Sequence, residues 1–100
     1  MVGSHSYVVD WWVGIIARRL PAIDIKHLHF LLSRELRALG PTYLVTTKVD
    51  RPSGPIFNAF WEMGVNANEC FSRLPVDVTI LVSNNKVFLV TEEGVKILYE

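Results

Sequence analysis

The stretch that decides the fold runs from Phe60 to Val90 and reads FWEMGVNANECFSRLPVDVTILVSNNKVFLV. An apolar helical segment stops at Gly64, and a second short helix ends before Pro75, because the residue preceding a proline avoids helical angles. The Asn84-Asn85 pair suits a tight hairpin turn, since asparagine tolerates positive φ. The stretch therefore predicts short helices over 56–63 and 66–74 and apolar strands over 76–83 and 86–90.

The segment before this stretch begins with a strongly apolar helix, predicted from Tyr7 to Leu20 and ended by Pro21. Its apolar residues occupy nearly the whole circumference, which is typical of a helix buried on more than one side. Adjacent tryptophans are about 100° apart around a helix, so both are internal only if the helix is sandwiched. We therefore predict a partner or self-association surface, formed by Tyr7, Trp11, Trp12 and Ile15.

A second helix and a strand follow. Asp24 is a good N-cap, and Gly40-Pro41 is a strong stop. Between them, apolar residues recur at three- and four-residue spacing and predict a core stripe. The alternation over 42–49 predicts a strand with one buried face, and Gly, Pro and Ser over 50–55 predict a loop. The stripe consists of Ile25, Leu28, Leu32, Leu36 and Leu39.

The two ends of the chain are less regular. We expect residues 1–6 to be a flexible start or a cloning remnant, and residues 7–100 to form one domain. The tail is predicted to be either a short helix capped by Thr91 or a third strand after a Glu93-Gly94 turn, and the strand is favoured. The chain is therefore expected to be a single α+β domain with the element order α-α-β-α-α-β-β and this ambiguous tail.

This order resembles a winged helix-turn-helix with one extra N-terminal helix. Gly64 stands where that family makes its tight turn, with Met63 and Val65 as buried neighbours, and Cys70 and Leu74 facing inward. Residues 69–75, running directly into 76–80, are also similar to the OST-HTH (LOTUS) branch, in which a short helix ends at a hydrophobic-Pro pair and the hairpin starts at once.

What the resemblance implies is a partner surface on the second helix of the motif and on the hairpin, or wing. Winged helices commonly bind DNA there, LOTUS-type domains bind RNA or a helicase partner, and other members bind only proteins. This sequence departs from the pattern at Phe60, where a small residue is usual. For the polar residues of the second helix, a solvated helix capped by Asn66 is the interpretation we favour over base readout. The implied contact residues are Asn66, Asn68, Glu69, Ser72, Arg73, Asn84, Asn85 and Lys86.

The charge balance restricts the class of partner. Ten basic and ten acidic residues give a formal net charge of zero. A domain that depends on phosphate contacts usually carries a basic excess, so the balance argues against strong duplex-DNA binding. A local patch on the first two helices would bind phosphates or acids, although an ordinary solvated face is the interpretation we favour. Its residues are Arg18, Arg19, Lys26, Arg34 and Arg37.

Catalytic chemistry is not expected. The sequence has no Gly-x-Ser-x-Gly, His-Glu-x-x-His or P-loop motif. His27 and His29 point to different sides of a helix, and Cys70 has no second cysteine with which to bind zinc. We therefore predict no catalytic residues, no metal, no cofactor and no small-molecule substrate.

The single cysteine and the short apolar runs bear on location. One cysteine cannot form an internal disulfide, so an intracellular compartment, cytoplasmic or nuclear, is expected. Apolar runs well under about 18 residues predict no membrane span.

The sequence thus predicts a non-enzymatic adaptor or regulatory module that binds a protein partner or a copy of itself. Two alternatives remain. One is an RNA- or DNA-binding regulator that uses the Asn66–Leu74 helix and the wing, and the other is a small inhibitor protein of viral or phage type.

Overall fold

The computed structural model describes residues 3–47 and 54–100. Over these residues the chain is α+β, as predicted, with four helices and one antiparallel sheet of four strands. The helices are α1 (Ser4–Arg19), α2 (Ile25–Arg37), α3 (Pro55–Met63) and α4 (Ala67–Ser72). The strands are β1 (Tyr43–Thr46), β2 (Thr79–Ser83), β3 (Lys86–Thr91) and β4 (Gly94–Tyr99).

The predicted bend at position 64 is present. Gly64 ends α3 with φ of 79°, in the left-handed region that glycine adopts without a steric penalty. Asn66 then caps α4, since its side chain accepts a hydrogen bond from the Glu69 backbone N–H. α4 contacts α3, and the β2–β3 hairpin follows in the chain.

The hairpin turn has the predicted geometry, and the tail forms a strand. Asn84 and Asn85 both have positive φ, 51° and 61°, as a type I′ turn requires. The tail is the fourth strand of a sheet with spatial order β1-β2-β3-β4, so the strand interpretation is confirmed and the helical one is wrong.

One face of the sheet, called here the inner face, lies in the core. Its buried residues are Tyr43, Val45, Ile80, Val82 and Val87, and the register adds the half-buried Leu89 opposite Ile80. The α1 helix contacts both α2 and β3, so it lies between the second helix and the inner face. Trp12 is fully buried in this layer. The nearly all-round apolar surface of α1 is therefore used inside the same chain.

Several predicted boundaries need correction. The first helix begins at Ser4, inside the segment expected to be a flexible start, because the Gly3 carbonyl accepts a hydrogen bond from the Tyr7 N–H. The leucine stripe is buried only at its centre. Ile25 opens the helix and Leu39 lies beyond its end at Arg37, so both are exposed.

The third correction concerns the entry into β2, which starts at Thr79 rather than Val76. Asp77 has φ of 58°, which breaks the extended conformation. The Thr47 hydroxyl holds this loop, since it accepts from the Val78 N–H and donates to the Pro75 carbonyl. Val76 is consequently exposed.

The two helices at the bend also differ from the expected burial. Val65 is exposed, because it lies in the turn between α3 and the Asn66 cap. Leu74 faces inward as predicted, and Cys70 is only half-buried. The predicted strand residues 48–49 and most of the predicted loop, 50–53, lie outside the described residues.

Candidate functional site

The second face of the sheet, called here the outer face, carries a continuous apolar row. Side chains alternate along a strand, so the neighbours of the inner-face residues point the other way. The register places Leu44 opposite Leu81, Leu81 opposite Phe88, and Phe88 opposite Ile97. One row of four large apolar side chains therefore crosses all four strands.

A second row lies two residues further along each strand. It contains Val90 opposite Val95, and Thr79 opposite both Val90 and Thr46. The Thr79 hydroxyl donates to the Thr46 hydroxyl at 3.0 Å. Six of the eight positions in the two rows are apolar, and the two threonines bond to each other.

Much of this apolar surface is open to solvent. Leu44 is 51% exposed, Ile97 52% and Val95 66%, while Leu81, Phe88 and Val90 are half-buried. In antiparallel sheets, the face that is exposed to solvent is usually polar. A contiguous exposed apolar patch on a small domain is typical of a binding surface.

Charged groups border this face at its two ends. Asp77 and Glu92 line a shallow hollow of about 230 Å³ together with Thr79, Val90 and Thr91. At the opposite end, Lys86 pairs with Ser83 beside the hairpin turn and is exposed. Glu100 also lies at that end, after the edge strand β4. The two apolar rows thus lie between an acidic border at one end of the outer face and a border that carries Lys86 at the other end.

The predicted contact helix α4 uses most of its polar groups internally. Arg73 donates to the Glu69 carboxylate at 2.9 Å, and the Ser72 hydroxyl donates to the Glu69 carbonyl. Asn66 caps the helix. Only Asn68, among the predicted residues of this helix, is exposed without such a bond among the described contacts. The Arg73 guanidinium, which base readout would require, is therefore already paired with the Glu69 carboxylate.

The predicted wing contacts lie away from α4. The turn at Asn84-Asn85 is at the far end of β2, about 16 Å along the strand from the end that follows α4. The Asn85 side chain also accepts a hydrogen bond from the Ser4 N–H at 3.3 Å, so it caps the start of α1. The structure brings Lys86 close to the outer face instead.

The predicted aromatic interface on α1 is mostly internal. Trp12 is fully buried, and Tyr7, Trp11 and Ile15 are half-buried. Trp11 stacks edge-on against Trp12 at 5.0 Å between ring centres, and Tyr7 stacks against Tyr99 of β4 at 5.3 Å. The sandwich that we expected a partner to complete is completed by α2 and the sheet.

Three of the five residues in the predicted basic patch share one side of α2. Lys26, Arg34 and Arg37 line a shallow surface hollow of about 400 Å³ with His29, Phe30 and Ser33. Phe30 is exposed among these polar groups. Arg34 is paired with Glu62 of α3. Arg18 and Arg19 lie in the last turn of α1, where cations are favoured by the helix dipole.

Two histidines join α1 to α2. His5 Nε2 is 3.1 Å from the Ser33 hydroxyl, and His29 Nε2 is 3.0 Å from the Asp10 carboxylate. Burial, followed by the nearby Arg37 and His29 charges, lowers the pKa of His5. His27 is exposed on α2.

No metal centre is evident in the described part of the chain. Burial and the neighbouring Glu69 carboxylate raise the pKa of the Cys70 thiol, with Arg73 opposing them, so the reactive thiolate is disfavoured. Within residues 3–47 and 54–100, no three His, Cys, Asp or Glu side chains converge so as to hold a metal ion.

The same described ranges contain no helix that has both the length and the apolar character needed to cross a bilayer.

Comparison with protein-family models, with curated proteins and with solved structures found no significant match to this chain.

The outer face was not predicted from the sequence, which indicated only that 76–83 and 86–90 form apolar strands. Their cores, Ile80-Leu81-Val82 and Val87–Val90, are unbroken apolar runs. Such runs are typical of strands that are covered on both faces. The length of these runs was the signal that could have identified the outer face.

Proposed function

We propose that this chain is a non-enzymatic interaction module that binds a protein partner through the outer face of its sheet. The observation that carries the proposal is the row Leu44, Leu81, Phe88 and Ile97, which crosses four strands. Leu44 and Ile97 are about half exposed, and Leu81 and Phe88 are half-buried. Covering such a row removes apolar area from water, which stabilises a complex by about 25 cal/mol for each Å².

The proposed family and location follow from the sequence and from the order of elements. Helix, glycine bend, helix and hairpin occur in the order of a winged helix-turn-helix, and a LOTUS-like assignment stays a narrower proposal. Regulation by protein contact in an intracellular compartment is the role proposed for the module. The half-buried cysteine is compatible with a reducing compartment.

The test compares two double variants of equal charge change. Leu44→Lys with Ile97→Lys places two ammonium groups on the outer face. Ile25→Lys with Leu39→Lys alters exposed apolar residues at the two ends of the α2 segment instead. Circular dichroism first checks that both variants fold. Each immobilised chain is then exposed to a native extract and to the purified wild-type chain.

The expected result is that the wild type and the α2 variant retain the same proteins, while the outer-face variant loses them. Retention of the same proteins by all three chains would overturn the proposal. Failure of the wild type to bind any protein, itself included, would also overturn it.

Nucleic-acid binding is a second candidate, and one observation favours it. The α2 surface combines Lys26 and Arg37 with the exposed ring of Phe30, a combination that suits a phosphate backbone and a stacked base. Binding of single-stranded RNA at low salt, lost as salt rises and lost in Lys26→Glu with Arg37→Glu, would support this function. Absence of retention at low salt would remove it.

A further inference from the structure

We infer that the occupant of the outer face is a second copy of this chain, docked around a two-fold axis that lies between the two sheets and runs perpendicular to the strands. This inference rests on the proposed function, because it names the partner for the same face. Two observations carry it: the charges at the ends of the face and the net charge of the chain.

The first observation is that the face is self-complementary along the strands. Lys86 is the first residue of β3, and Glu92 follows its last residue in the turn to β4. The two are six residues apart, about 20 Å, with Phe88 and Val90 between them. A two-fold axis that passes over Leu89, midway between the charged residues, places Lys86 of one copy opposite Glu92 of the other.

On β3 and β4 the same axis places apolar residues against each other, whereas on β1 and β2 it places Leu44 and Leu81 against Thr46 and Thr79. It places Phe88 of one copy against Val90 of the other, and Ile97 against Val95, each contact occurring twice by symmetry. With the axis parallel to the strands, Lys86 would instead approach Lys86. The Lys86 and Glu92 charges therefore favour the perpendicular axis, although it also brings Glu100 of one copy to the acidic border of the other.

The second observation is the formal net charge of zero. Copies of a strongly charged chain repel one another, whereas copies of this chain carry no net repulsion to oppose docking. The area of the face sets the expected affinity. Four strands about 4.8 Å apart and five residues long have a footprint of about 300 Å². Stable complexes bury about 800 Å² on each partner, so this dimer is expected to be weak and to dissociate on dilution.

The experiment uses charge exchange in the full chain, followed by sedimentation at several protein concentrations and moderate salt. Lys86→Glu alone and Glu92→Lys alone each place like charges together twice in a homodimer. Each is expected to weaken dimerisation by about tenfold. A mixture of the two variants restores opposite charges at both contacts, so the heterodimer is expected to regain wild-type affinity.

A control separates local pairing from total charge. Lys26→Glu changes the net charge as Lys86→Glu does, but Lys26 lies on α2, away from the sheet. It is expected to dimerise like the wild type. If Lys26→Glu weakens the dimer as much as Lys86→Glu does, the charge effect is not local and the inference is overturned.

The outcomes also separate this inference from the proposed function. The wild-type chain could be monomeric at every concentration and yet bind another protein, with this binding lost in Ile97→Lys. That result would overturn the inference that the partner is a second copy, while the outer face would remain the docking surface. A dimer that persists unchanged with Ile97→Lys and gains nothing from the mixed charge variants overturns the inference as well. Rescue in the mixture, with dimerisation lost in Ile97→Lys, supports it.

Discussion

The inner and outer faces of the sheet are built from similar side chains in different surroundings. On β2, Ile80 and Val82 point inward and are covered by the helical layer, whereas Leu81 points outward. On β4, Ile97 has the same side chain as Ile80 and is half exposed. Among the described residues, the helices thus cover one face of an apolar sheet and leave the other uncovered.

The largest expected effect is the difference in stability between two isoleucine variants, one on the inner face and one on the outer face. Ile80→Ala removes a fully buried side chain and leaves a cavity, so the free energy of unfolding is expected to fall by about 2–5 kcal/mol. Ile97→Ala removes a half-exposed side chain and is expected to cost under about 1.5 kcal/mol in the dilute monomer. Urea unfolding monitored by circular dichroism measures both. Equal losses would mean that the outer face is covered in the monomer.

A smaller effect tests how the chain places its helices on the inner side. Gly64→Ala forces a β-carbon into a left-handed conformation with φ of 79°, and no neighbouring atom lies close enough to clash. The backbone strain is expected to cost about 1–2 kcal/mol.

Gly14 provides the matched control, because it lies in the exposed part of α1 with open space around it. Gly14→Ala is expected to stabilise the fold by about 0.5–1 kcal/mol, through higher helix propensity. Thermal unfolding of the two variants should therefore shift in opposite directions. Shifts of the same sign would contradict the bend.

The smallest expected effect is a pH dependence of the stability of the fold, which arises from His5 at the contact between α1 and α2. His5 has a pKa below the ordinary 6.5 in the folded chain, so the unfolded chain binds more protons as the pH falls through that value. Its contribution to stability is therefore complete above pH 6.5 and declines from 6.5 down to the lowered pKa.

The check is the pH dependence of unfolding in urea between neutral and mildly acid pH. His5→Gln should flatten the decline in stability relative to the wild type, and His27→Gln, at an exposed position, should keep it. If stability declines equally in the His5→Gln variant, groups other than His5 cause the decline.

The sequence predicted the local elements well and the surfaces poorly. The Asp24 and Asn66 caps, the bend at Gly64 and the turn at Asn84-Asn85 depend on residues close in sequence, so they could be predicted. The burial of Trp12 depends on which elements lie on either side of α1, which no local pattern specifies.

The outer face depends on strand register. Leu44 and Ile97 are distant in sequence and lie on opposite edge strands, and they belong to one row only because the two strands between them are in register. The internal pairing of Arg73 with Glu69, by contrast, is an i, i+4 contact within one helix. That spacing was visible in the sequence and could have warned against base readout by α4.

The most direct measurement of the central claim is the relaxation of methyl groups by a soluble paramagnetic agent, in dilute and in concentrated solution. In dilute solution the methyls of Leu44, Val95 and Ile97 should relax as strongly as those of Ile25 on α2. On concentration, the three outer-face residues are expected to become protected while Ile25 stays accessible. Equal relaxation of Ile97 and Ile25 at both concentrations would contradict this expectation.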